Sequence, residues 1–437
     1  MGARETALNV LIACRKEAGW SNGMVKSYIS RDGLDRREAA LATRLCYGVM
    51  QNRLCLDHYL QQLLTGKVKD LHPALRDILH LGLYQLTQMD RIPESAAVNE
   101  SVTLTKKYCR KQKNAPALVN AVLRNAIRCR DTLTPPKGWE KIYSHPQSLI
   151  DLLMDYVGKS RMEAMLKANN EIPPTVVQVN TLRTDRQELT ARLEAQGVSV
   201  QNHSWMENCL VLSGTGNLEQ LDAFRDGLFY VQDAAAKLSV VCAGLTPGQN
   251  VLDCCAAPGG KSFAAAMAMQ GQGSIRSCDI HEHKIPLIEK GAQRLGISIL
   301  SACQQDAAQR NARWNDAMDT VICDVPCSGY GIIRKKPDIR YKDPKTMAKL
   351  PQLQLEILKN QANYVRPGGV LLYSTCTLVR AENEGVVEAF LQSRPDFTTE
   401  ALQLPANFPG NTTGMLTLVP GEYDTDGFFI CRLRRKP

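Results

Sequence analysis

Long apolar runs are missing from this chain. No stretch of its 437 residues reaches the roughly 18 consecutive apolar positions that a membrane-crossing helix requires. The opening segment, "MGARETALNVLIACRKEAGW", sets Arg4, Glu5, Arg15, Lys16 and Glu17 within an apolar periodicity. It reads as an amphipathic helix and not as a secretory signal. C-x-x-C spacing is also missing, although there are 15 cysteines. That argues against a structural zinc site and against a dithiol oxidoreductase, so no metal is expected. The cysteines are scattered, many in apolar segments (Cys46, Cys242, Cys323), as suits free thiols in a reducing compartment. A cytoplasmic location is expected. Neither G-x-G-x-x-G nor G-x-x-x-x-G-K-[ST] occurs, which removes the two commonest phosphate-cradling loops. Acids, finally, are scarce between positions 100 and 130, where Glu100 stands alone.

What is present points toward a polyanion. The net charge is +9, with 44% hydrophobic and 22% charged residues, a globular composition. Between Glu100 and Arg130 lie eight basic residues, including Lys106, Lys107, Lys111 and Lys113. A solvated helix face would account for them. A phosphate-contacting surface accounts better for the near-complete dominance of one sign.

Three regions are expected. Residues 1–138 carry apolar positions at helical spacing and read as an all-helical bundle. The Pro135-Pro136-Lys137-Gly138 stretch marks a boundary. Residues 139–230 mix helix and strand patterns, a small α+β connecting module. Residues 231–437 alternate strands and helices, which indicates a three-layer α/β domain with a mostly parallel sheet. Ligands in such sheets bind outside the strand carboxyl ends.

The chemistry-bearing residues fall there. "VLDCCAAPGGKS" follows a strand with small residues and two glycines, so its backbone can approach a bulky ligand at a helix N-terminus. Asp279 in "RSCDI" suits a ribose diol or a helix cap. Asp306 in "CQQDAAQ" suits an adenine amine or a surface turn. "DVPCSGYG" brings Asp324 and Cys327 onto a loop after one strand, and "YSTCT" brings Cys376 after another. Asp324 can accept from the exocyclic amine of cytosine. These residues alone do not rank the two thiols. "RKKPDIRYKDPK" (334–345) combines Arg334, Lys335, Lys336 and Tyr341 beside the Cys327 loop and reads as a contact for flanking RNA or as a solvated insertion.

Residues 251–262, 324–340 and 372–377 resemble the motifs of the RNA cytosine-C5 methyltransferases that use S-adenosylmethionine. The whole chain is similar to the bacterial small-subunit rRNA branch of that family, and its N-terminal region resembles the NusB antitermination fold, best at "VNAVLRN". The resemblance implies a Rossmann-like methyltransferase domain behind a NusB-like helical domain. It implies that Cys255, Ala256, Ala257, Pro258, Gly259, Gly260 and Lys261 line the methionine portion of the cofactor. Asp279 would hold the ribose, Asp306 would lie near adenine, and Asp324 would stand between cofactor and base. Cys376 resembles the nucleophile that adds to C6, with Asp324 supporting the charge change at N3. Cys327 resembles the thiol that assists release, serving or assisting as the base that removes the C5 proton. The implied partner is 16S rRNA, free or in an incompletely assembled subunit, with cytosine 967 of the usual numbering as target. Neither a membrane, DNA nor an obligate protein partner is indicated. A tRNA cytosine methyltransferase is the nearest alternative. An rRNA-binding assembly or antitermination factor with a relic cofactor domain is the non-catalytic one. The chain departs from the family pattern at Val325 and Tyr330, and the latter is expected to alter packing against RNA.

Overall fold

In the computed structural model the structure describes residues 1–17, 21–410 and 413–437; the last three residues of the opening amphipathic segment lie outside these. Two compact units are found. The first holds residues 1–154, 166–171 and 333–342, and the second holds 155–165, 172–332 and 343–437.

The first unit is helical. Asp35 caps the helix Arg36–Leu63 by accepting from the Glu38 N–H at 2.8 Å. Pro73 opens the helix Pro73–Gln88, and Pro116 stands in the first turn of Ala115–Arg128, where a missing N–H costs nothing. Pro93 precedes Glu94–Tyr108. Leu8, Leu45, Leu60, Ile78, Val119 and Leu123 are fully buried and face one shared core.

Residues 333–342, most of the 334–345 stretch read as a contact for flanking RNA or a solvated insertion, belong to this unit. Arg334 and Arg340 are buried, 7% and 1% exposed, together with Pro337 and Ile339. The Arg340 guanidinium donates to the carbonyls of Gln51, Tyr143, Ser144 and Asn169 and, at 2.7 Å, to Asn170 Oδ1. Burial lowers its pKa to about 10. The Tyr341 hydroxyl donates to the Met50 carbonyl at 2.7 Å, and Arg53 lies 5.1 Å from the centre of its ring. The Arg340 charge satisfies backbone carbonyls, as a buried cation must.

The second unit carries two sheets. In the smaller, β1 (Thr175–Val179), β2 (Ser199–Asn202), β3 (Cys209–Ser213) and β4 (Phe229–Val231) pair antiparallel in the order β2-β3-β1-β4. The larger holds β5 (Asn250–Asp253), β6 (Ser274–Asp279), β7 (Leu300–Gln304), β8 (Met318–Asp324), β9 (Val365–Thr375), β10 (Phe397–Thr399), β11 (Met415–Leu418) and β12 (Phe428–Arg435). Its order is β10-β12-β9-β8-β5-β6-β7, with β11 on β12. β9, β8, β5, β6 and β7 run parallel, while β12 pairs antiparallel with β9. The central strands are apolar on both faces, as in parallel sheets covered by helices. From β5 the chain winds outward through β6 and β7, then returns to lie at β8 on the other side. The switch point is therefore the crevice between β5 and β8, where open α/β sheets place their ligands. Among the described residues no helix is long and apolar enough to cross a membrane.

Candidate active site

The crevice receives one loop from each strand. After β5 the chain turns at residues 254–259 into the helix Gly260–Ala268. Gly259 holds φ 109°, and a Cβ there would meet the Phe263 ring at 2.5 Å. Only glycine fits, and its lack of a side chain bares the backbone at the helix N-terminus. Such a loop suits a cofactor that approaches the main chain closely. Asp279 closes β6, its Oδ1 accepting from the His281 N–H at 3.0 Å with Lys284 Nζ at 3.6 Å. Asp306 lies two residues beyond β7 and accepts from the Ala308 N–H at 2.9 Å. The carboxyl ends of β5, β6 and β7 thus carry the three expected cofactor elements side by side.

β8 ends at Asp324. Its Oδ2 accepts from Lys261 Nζ at 2.6 Å, and its Oδ1 accepts from the Ser374 hydroxyl at 2.9 Å. Lys261 is nearly enclosed, with 11% of its side chain exposed. Burial alone would lower its pKa, but the charge and hydrogen bond of Asp324 outweigh that and raise it. Its ammonium also lies 5.2 Å from the centre of the Phe428 ring. The residue types placed Lys261 on the cofactor loop; its partnership with Asp324 was not legible, because a contact 63 positions apart leaves no local pattern.

The thiols of Cys327 and Cys376 meet at 3.2 Å. Both are half-buried. The hydrogen bond with Cys376 contributes most to raising the Cys327 pKa well above the ordinary thiol range; burial and the charges of Glu382 and Asp324 act in the same direction. Either sulfur can donate in this contact.

A ring of polar residues that the sequence reading missed holds these loops. Glu382, 2% exposed, accepts from the Ser328 N–H at 2.9 Å, from the Ser328 hydroxyl at 2.6 Å and from Gln354 Nε2 at 2.9 Å. Gln354 Nε2 also donates to the Pro326 carbonyl at 2.9 Å. The neighbouring Asn383 accepts from the Thr375 hydroxyl at 2.6 Å and donates to the Thr377 carbonyl at 3.1 Å. The Gly331 N–H donates to the Cys376 carbonyl at 2.9 Å, and a Cβ on Gly331 would strike the Gly427 carbonyl oxygen at 2.1 Å. Tyr330, expected to alter packing against RNA, is 1% exposed. The one available cue was a run of polar residues, "RAENE", directly after the second thiol loop.

Of the expected RNA-contacting lysines, Lys106 and Lys107 end the helix Glu94–Tyr108, and Lys111 and Lys113 follow in the next turn, all exposed. Lys107 is ion-paired with Glu5. Lys335 and Lys336 are half-buried in the segment that joins the helical unit.

Comparisons with known proteins agree with this arrangement. A family model described as "16S rRNA methyltransferase RsmB/F" matches residues 241–434. The NusB family matches 1–128, and a ferredoxin-like domain of RsmF/B-like methyltransferases matches 145–219. A probable ribosomal RNA small subunit methyltransferase B of Bacillus subtilis is 35% identical, covering 99% of this chain and 98% of its own length. The ribosomal RNA small subunit methyltransferase B of Vibrio cholerae is 33% identical over 92% of this chain and 90% of its own. The crystal structure of PH0851 shares the fold, with TM-score 0.83 and 24% identity over 100% of this chain and 99% of its own. A methyltransferase homolog from Pyrococcus horikoshii aligns with TM-score 0.57 and 25% identity over 68% of this chain and 97% of its own. With a relative this similar along nearly its whole length, the chain belongs to the RsmB/F family of 16S rRNA methyltransferases.

Proposed function

We propose that this protein methylates the C5 position of one cytosine of 16S rRNA, the cytosine that the family resemblance implies, through a covalent bond between Cys376 and C6. Family membership makes it an S-adenosylmethionine-dependent 16S rRNA cytosine methyltransferase. The observation that carries the covalent reading is the 3.2 Å contact between two thiols at the switch point, beside the Asp324–Lys261 pair.

C5 of cytosine is a weak nucleophile. Addition of the Cys376 thiolate to C6 displaces the C5=C6 electron pair onto C5 and activates it. S-Adenosylmethionine, when bound, supplies the methyl group from its sulfonium. The loop 255–261 with Asp279 and Asp306 holds that cofactor. Asp324 accepts from the 4-amino group and orients the ring, while Lys261 supplies the neighbouring positive charge. At release the C5 proton passes to Cys327 or, with its assistance, to water, its electron pair re-forms C5=C6, and the C6–S bond breaks to return the Cys376 thiolate. Cys327 lies 3.2 Å from that departing sulfur.

Lys106, Lys111 and Lys113 contact phosphates of the same RNA. The target base must leave its stack, which favours free rRNA or an incompletely assembled subunit in the cytoplasm. Bisulfite mapping of RNA from cells with and without this gene tests the assignment. A single cytosine of 16S rRNA should lose protection when the gene is removed. Loss at a tRNA cytosine, with 16S rRNA unchanged, would overturn it.

A further inference from the structure

Glu382 takes no part in the steps above, yet it is a buried carboxylate whose hydrogen bonds close around one thiol. Cys327 sits between two peptide groups. The carbonyl before it, on Pro326, accepts from Gln354, and the N–H after it, on Ser328, donates to Glu382. Gln354 in turn donates to Glu382, so one carboxylate and one amide hold both sides of the Cys327 residue. The Ser328 hydroxyl adds a second bond to Glu382 and meets the Thr377 hydroxyl at 2.7 Å, directly after Cys376. The Glu382 backbone is itself pinned, its carbonyl accepting from the Tyr373 hydroxyl at 2.6 Å within β9. Hydrogen bonds to an ionised acceptor are the strong kind, and a network of this density fixes geometry more than any single bond does.

We propose that Glu382 is the positioning residue for Cys327, holding its sulfur at the hydrogen-bonding distance from Cys376 that the release step needs. Attack does not depend on it in the same way, because the Cys376 loop has its own frame in Asn383, Thr375 and Thr377. The adjacent residues Glu382 and Asn383 thus bind the chain flanking different thiols, and the Ser328–Thr377 contact joins the two frames. The inference rests on the reading of Cys327 as the release thiol.

The experiment follows the covalent enzyme–RNA adduct and the methylated product during single turnover on a 16S rRNA fragment. It compares wild type, Cys327→Ala, Glu382→Gln and Ser328→Ala. Glu382→Gln removes the charge at nearly constant shape, and Ser328→Ala removes one hydroxyl while leaving carboxylate and backbone. Glu382→Gln should form adduct at a rate within about 3-fold of wild type and release it roughly 10- to 100-fold more slowly, the scale expected for misplacement by about 1 Å. Ser328→Ala should show the same pattern more weakly, and its result decides the matter if Glu382→Gln does not fold. Cofactor binding and the RNA KM should stay near wild type in both. If Cys327→Ala accumulates adduct while Glu382→Gln and Ser328→Ala release at the wild-type rate, the positioning role is overturned and the reading of Cys327 stands. If Cys327→Ala itself fails to accumulate adduct, that reading falls and this inference falls with it. Equal slowing of attack and release, with cofactor binding lost, would make Glu382 a general structural residue and overturn the proposal.

Discussion

The two thiol loops touch at 3.2 Å and are held in different ways. Both strands leading to them are paired on two sides, β9 with β8 and β12, and β8 with β5 and β9; the threonines flanking Cys376 are bound by Asn383. Cys327 follows β8 on a loop whose flanking peptides are bound by Glu382 and Gln354. Two identical functional groups thereby receive different surroundings. The comparison teaches that residue type, the same for both, does not separate the thiols, whereas the hydrogen-bonded frame around each does.

The largest effect that would break this comparison is loss of catalysis. Cys376→Ala should lower methylation of a 16S rRNA fragment by at least about 1000-fold, with cofactor binding retained, because the covalent route is removed. Cys327→Ala should allow attack and accumulate adduct. Equal behaviour of the two variants would erase the distinction drawn here.

Thiol titration sharpens it. In a Cys376→Ala background the bond that most raises Cys327 is lost, but burial and the charges of Glu382 and Asp324 remain. These disfavour the thiolate, so Cys327 should still alkylate more slowly at pH 8 than a free cysteine and speed up only at higher pH. Adding Glu382→Gln removes a nearby negative charge and should move that rise to lower pH. Peptide mapping after iodoacetamide measures both.

The same contrast between framing and residue type separates two basic segments. Arg340 is sealed among carbonyls, while Lys111 and Lys113 stand in solvent. Arg340→Met should destabilise the fold by about 3 kcal/mol in urea unfolding, since several buried acceptors lose a charged donor. Lys111→Ala with Lys113→Ala should leave stability unchanged and make RNA binding less salt-dependent, reducing the log–log slope by about 1 to 2. A slope unaffected by the lysines would remove their assigned phosphate contacts.

Strand ends were legible where loops were not. A run such as "DTVICDVP" announces a buried strand, and the residue that ends it must emerge at the sheet edge. Asp324, Cys327 and Cys376 were therefore placed by local pattern alone, as was the glycine turn at 259–260. The alternation of strands and helices likewise indicated the parallel sheet. Charge on a loop carries no such geometry. "RKKPDIRYK" and "KKYCRKQK" look alike, and only long-range contacts, such as those of Arg340 with Gln51 and Asn169, separate them. Glu382 and Gln354 escaped notice for the same reason, as their partners lie 54 and 28 positions away. Short strands such as β2 and β10 were missed because four or three residues hold too little alternation to read.

The central claim concerns which sulfur bonds to the base. RNA carrying 5-fluorocytidine at the target cannot lose fluorine as a proton is lost, so the methylated adduct stays on the enzyme. Digestion and mass spectrometry of that adduct would locate the nucleotide. The account predicts it on the peptide containing Cys376; its presence on the peptide containing Cys327 would contradict it.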